Sequence, residues 1–130
     1  MIVRGALRNA DTGKILAADS RLAAGFRERL IGWIGRKVIR PEQALGIPNC
    51  DWVHTFGVCL PLDIVYCDRE GRVLQVAENL PPNRIAPRAT GAFIAWEMSA
   101  GGFSGQVREG QRLILEALPK TNPQSDAQNV

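Results

Sequence analysis

Two carboxylates and one imidazole stand in otherwise apolar stretches of this sequence, and any chemistry would begin with them. His54, the single histidine, alternates with Trp52 and Phe56 in Trp52-Val53-His54-Thr55-Phe56. Histidine is the one side-chain type that ordinarily changes charge near neutral pH, so a general acid or base would be sought there first. A histidine flanked on its own face by two aromatic residues is, however, more commonly packed in a core and bonded to backbone. Asp63 interrupts Leu62-Asp63-Ile64-Val65 and shares its face with Val65 and Cys67. Burying a carboxylate unpaired is costly, so Asp63 must accept backbone N–H groups, pair with an arginine or line a pocket. Glu97 poses the same problem within Phe93-Ile94-Ala95-Trp96-Glu97-Met98, where both faces are apolar.

The counter-charges lie upstream. Residues 21–40 hold Arg21, Arg27, Arg29, Arg36, Lys37 and Arg40 against Glu28 alone. On a helix Arg29 and Arg36, seven residues apart, fall on one flank, and guanidinium binds carboxylate bidentately. Arg29 or Arg36 is therefore expected within salt-bridging reach of Asp63 or Glu97. A solvated charged face and a weak anion or nucleic-acid site are the alternatives, the last requiring an exposed Trp33 beside the arginines.

Cys50, His54, Cys59 and Cys67 follow the spacing C-x3-H-x4-C-x7-C, which offers ligand types that zinc accepts. The set lacks a C-x-x-C knuckle, and the cysteines are read as small buried hydrophobes; no metal and no cofactor is expected. A nucleophilic Cys59 with His54 and Asp63 has no feature to lower the thiol's pKa. Dinucleotide, phosphate-loop, zinc-protease and nucleophile-elbow motifs are missing, so the sequence leans away from an enzyme.

The positioning elements read as mainly β. Residues 1–8 and 14–18 form a hairpin around Asn9 to Gly13, and Asp19 or Ser20 caps a helix whose stripe is Leu22, Phe26, Leu30, Trp33 and Ile34. Pro41 and Pro48 forbid regular helix in the next segment. Strands follow at 52–56, LPLDIVYC, RVLQVAE, AFIAWEM and RLILEAL, with the turn Asp68 to Gly71 making the clearest hairpin and a proline-rich loop over 80–91. The expected fold is a small closed barrel or strongly curved antiparallel sheet with one amphipathic helix as its plug. An open sheet carrying one helix would give nearly the same pattern.

At 130 residues, 45% hydrophobic and 22% charged, the chain has the size and composition of one globular domain, placed at 1–118 with a disordered tail at 119–130. No apolar run approaches the ~20 residues that cross a bilayer. The odd cysteine count fits a reducing cytoplasm, and a net charge of +3 falls short of a typical nucleic-acid binder.

Three ordered stretches complete the picture: Arg29-Leu30-Ile31-Gly32-Trp33-Ile34-Gly35-Arg36, His54-Thr55-Phe56-Gly57 with Pro61-Leu62-Asp63-Ile64-Val65-Tyr66, and Trp96-Glu97-Met98-Ser99-Ala100-Gly101. Together they resemble the family known as domain of unknown function 192, over roughly residues 14–116. The chain departs from its pattern at Trp33, at Glu109-Gly110-Gln111 and in one extra residue before Pro61. The resemblance implies a compact, mainly β fold, marks Arg29, Arg36, Thr55, Asp63 and Glu97 as motif positions, and brings no established reaction. The reading is a non-enzymatic accessory module binding a small polar ligand or a protein segment in a pocket of His54, Thr55, Asp63, Glu97, Arg29 and Arg36. The alternative is a small hydrolase with Asp63 and Glu97 as acid and base, which requires the two to converge in one cleft.

Overall fold

The computed structural model describes residues 3–23 and 33–117. Seven strands, β1 (Arg4–Asn9), β2 (Ile15–Leu22), β3 (Gln43–Pro48), β4 (Leu62–Cys67), β5 (Val73–Leu80), β6 (Ile94–Ser99) and β7 (Leu113–Glu116), form one sheet in the order β5-β4-β6-β3-β2-β1-β7. The sheet curls into a half-barrel. Its edges approach at one end, where Val73 N–H donates to Gln111 O and Leu113 N–H to Gly71 O, around a bridge of Arg72 with Arg112. Both expected hairpins form, β1–β2 and β4–β5.

Several expectations need correction. The sheet is mixed: β2 and β3 run parallel, Asp19 to Leu22 beside Gln43 to Gly46, a pairing that no hairpin can make. Asp19, Ser20 and Leu22, read as a helix start, continue β2, and Trp33 to Gly35 form a turn. No helix occurs among the described residues; the remainder of the expected helix, Phe26, Arg29 and Leu30 included, lies outside them. Residues 52–56 make a single bridge, His54 with Ile85, in place of a strand. β3 has no counterpart among the strands expected from the sequence. Its run Ala44-Leu45-Gly46-Ile47 is buried on both faces, which removes the alternation by which a strand is recognised.

Alternation along the strands divides the core in two. Inside the curl lie Leu7, Leu16, Val65, Cys67, Trp96, Met98 and Leu113, filled by Phe103 and Val107 from the 100–110 loop, the place assigned above to a helix. On the other face Leu45, Ile64, Tyr66 and Ala95 pack beneath Trp33, Ile39, Val53, Val58, Ala86 and Ala89 from the connecting segments. At roughly 25 cal/mol per Å² of apolar surface removed from water, these two layers supply the main drive to fold.

Candidate functional site

Of the six residues singled out from the sequence, the five that are described, His54, Thr55, Asp63, Glu97 and Arg36, do not assemble into one pocket. Asp63 and Ile64 are successive on β4, and Ile64 lies directly across from Glu97 while Asp63 lies across from Met98. Glu97 thus shares the outer face with Ile64 and Leu45, and Asp63 faces into the curl. The sheet separates the two carboxylates. An acid–base pair acting on one bond cannot be built from them, which corrects the hydrolase alternative.

Asp63 is fully buried and completely used by the backbone. Its Oδ1 accepts the N–H of Asn79 at 2.8 Å, and its Oδ2 accepts those of Gly101 at 2.9 Å and Phe103 at 3.1 Å. A register shift explains the first bond: Leu62 pairs with Leu80 but Ile64 with Ala77, so β5 carries an extra residue and Asn79 turns left-handed with its N–H released from the ladder. The other two tie down the loop that inserts Phe103. The expected engagement by backbone amides is present, the donors coming from Asn79 and the 101–103 loop.

Thr55 is equally structural. Its Oγ1 donates to Pro81 O at 2.7 Å and accepts Arg84 N–H at 2.9 Å, while its own N–H donates to Arg84 O at 2.8 Å. These bonds, with Ala86 N–H to Val53 O, pin segment 52–56 to segment 81–86, and Val53 N–H donating to the Tyr66 hydroxyl at 3.1 Å ties it to β4. Burial pushes the Tyr66 phenol up to about 12, which keeps it a neutral partner there. Glu97, buried, has its carboxyl raised to about 8 by desolvation. Among the described residues no ion pair joins Arg36 to Glu97 or Asp63; Arg36 instead lies 5.6 Å from the Trp33 ring centre. Arg29 lies outside the described residues. Trp33 is 3% exposed, so the stacking platform required of a nucleic-acid site at 21–40 is not presented.

His54 is the second correction: it is exposed. With Val53 and Thr55 turned inward, Trp52, His54 and Phe56 project outward, and Ile85 stands opposite His54. Trp52, Phe56 and Ile85 are 54%, 48% and 55% exposed. The row is held in place. Trp52 Nε1 donates to Ala86 O at 2.9 Å, Phe56 N–H donates to His54 Nδ1 at 3.2 Å, and the His54 and Phe56 rings lie 5.4 Å apart. Arg88 covers Trp52 at 5.8 Å and bonds Asp51 at 3.2 Å. Ile34, also exposed, sits against Gly57 at the edge of the row. Sequence alternation identified the row as one face but assigned that face to the core.

None of the three cysteines is in a disulfide. Cys67 is buried, its thiol pushed up to about 12 by burial and by Asp68, whereas Cys59 is exposed, contrary to the reading of all three as core residues. Among the described residues no cluster of His, Cys, Asp and Glu could hold a metal ion, and no helix is long and apolar enough to cross a membrane.

A curled seven-stranded half-barrel with an outward aromatic row places the chain among small β domains. It belongs to the family DUF192, Uncharacterized ACR, whose model matches residues 7–115. Two crystal structures share the fold. One is of a protein from Sinorhizobium meliloti described as a candidate transcription regulator (22% identity, TM-score 0.73, 87% of this chain and 92% of that one). The other is of a protein of unknown function from Novosphingobium aromaticivorans (19% identity, TM-score 0.69, 87% and 84%). No curated protein matches the chain.

Proposed function

We propose that this domain is a non-enzymatic binding module that captures a segment of another protein on the face formed by Trp52, His54, Phe56 and Ile85. The observation that carries the reading is a contiguous row of large, half-exposed side chains on a backbone pinned from beneath by Thr55. Aromatic residues beside arginine are the usual anchors of protein interfaces, and a face that is already rigid loses little entropy on binding. Arg84, exposed next to Ile85 and without an acid partner among the described residues, favours a partner segment with an acidic residue beside an apolar anchor. Three cysteines, none in a disulfide, support a cytoplasmic setting, and one copy of the chain is taken as the working unit.

The experiment is a random-peptide phage library panned against the immobilised full chain. Enriched peptides are expected to carry an apolar residue next to Asp or Glu, and to bind Trp52→Ala or Phe56→Ala at least about tenfold more weakly, the equivalent of 1.4 kcal/mol. Val38→Ser, at an exposed position outside the row, should bind as the parent does. Failure to enrich any peptide, or peptides indifferent to both aromatic substitutions, would sink the proposal.

A further inference from the structure

Separate from the aromatic row, a cavity of about 140 Å³ is lined by Arg4, Asp19, Arg21, Trp33, Arg36 and Gln43. Arg4 lies directly opposite Arg21 in the β1–β2 register. Like charges paired in this way share one face and repel, so antiparallel strands ordinarily avoid them. The one acid lining the cavity is Asp19, and Arg4 occupies it through Nη2 at 3.1 Å and Nε at 3.3 Å. Among the described residues Arg21 and Arg36 have no acid partner.

The neutral groups point the same way. Gln43 Oε1 accepts the Arg40 N–H at 3.1 Å, which leaves the amide nitrogen as a donor. Trp33 is almost wholly buried, and among the described residues its indole N–H has no acceptor. Such a group costs free energy unless a ligand or water supplies the missing lone pair. The side-chain groups left without an acceptor around this cavity among the described residues are therefore donors, cationic or neutral, drawn from β2, β3 and the 33–36 turn.

We propose that this cavity binds a tetrahedral oxyanion, phosphate or the phosphate group of a phosphomonoester. Its volume corresponds to roughly four or five waters, which suits one four-oxygen ion. Guanidinium groups arriving from three separate segments match an ion with oxygens on all sides better than a planar carboxylate, which a single guanidinium can satisfy. The ion relieves the Arg4–Arg21 repulsion and offers oxygens to Arg36 and Gln43.

The test titrates the full chain, labelled with nitrogen-15, with inorganic phosphate at constant ionic strength. It follows the Trp33 indole N–H resonance, assigned by its loss in Trp33→Phe. The expected result is a saturable shift with one site per chain, no comparable shift with acetate, and phosphate affinity lower by about tenfold in Arg21→Gln and in Arg36→Gln. Arg108→Gln, at an exposed position away from the cavity, should bind as the parent does. Arg36 is itself exposed, so Arg36→Gln decides the matter should Arg21→Gln fail to fold. Glycerol phosphate binding more tightly than phosphate assigns the site to esters; the reverse order assigns it to the free ion. An equal response to acetate, a Trp33 resonance that phosphate does not move, or equal weakening by Arg108→Gln overturns the proposal.

Discussion

At the residue scale the two acids solve the same problem in opposite ways. Asp63 meets three backbone N–H donors, so Asp63→Ala should strand amides of Asn79, Gly101 and Phe103 in the interior. A loss on the order of 2–4 kcal/mol is expected in urea melts, against which a change below about 0.5 kcal/mol would mean the loop is held otherwise. Burial raises the Glu97 carboxyl from 4.5 to about 8. Between those values the folded chain holds a proton that the unfolded chain has lost. Stability therefore falls as pH rises through that interval, and the loss is complete above about 8. Glu97→Gln should flatten this dependence and, above pH 8, exceed the parent by an amount on the order of a few kcal/mol. Melting both proteins between pH 5 and 9 checks the sign, and a parent that gains stability with pH contradicts it. That Asp63 needs partners was legible in its apolar neighbours. Which partners it finds was not, because the bulge that frees the Asn79 N–H belongs to another strand.

At the element scale, hairpins were readable and crossovers were not. β1–β2 and β4–β5 carry their turn residues between their strands, so local sequence specifies them. β3 has no local partner: it lies between β2 and β6, and its continuous apolar run is common to buried strands and buried helices. Gly46 shows how closely it fits. A Cβ there would lie 2.7 Å from Trp96 Cζ3 and 2.9 Å from Leu22 Cδ2, within a cross-strand pair where the absent side chain accommodates the indole. Gly46→Ala should cost about 1–3 kcal/mol through overpacking despite its gain in backbone entropy, measurable as a lower denaturation midpoint at unchanged slope. Pairing Gly46→Ala with Trp96→Phe should recover part of the loss.

At the scale of the whole molecule, the strand order brings the first and last strands together. β1 pairs with β7, setting Leu7 beside Leu115, and the start of β5 meets the start of β7. Contacts so distant in sequence close large loops before they return energy, so refolding on the order of milliseconds to seconds is expected in stopped-flow fluorescence, not microseconds. The sequence by itself determined the β-rich composition, two hairpins, the need of Asp63 for buried partners and the alternation that puts Trp52, His54 and Phe56 on one face. Those are local properties, set by period, turn chemistry and the cost of burying charge. Only the tertiary structure decided that the aromatic face looks outward, that Asp63 and Glu97 stand on opposite sides of the sheet, and that Arg4 and Arg21 confront each other beside Trp33. Each depends on which strand lies next to which. Periodicity within a strand says which residues share a face but carries no information about what covers it.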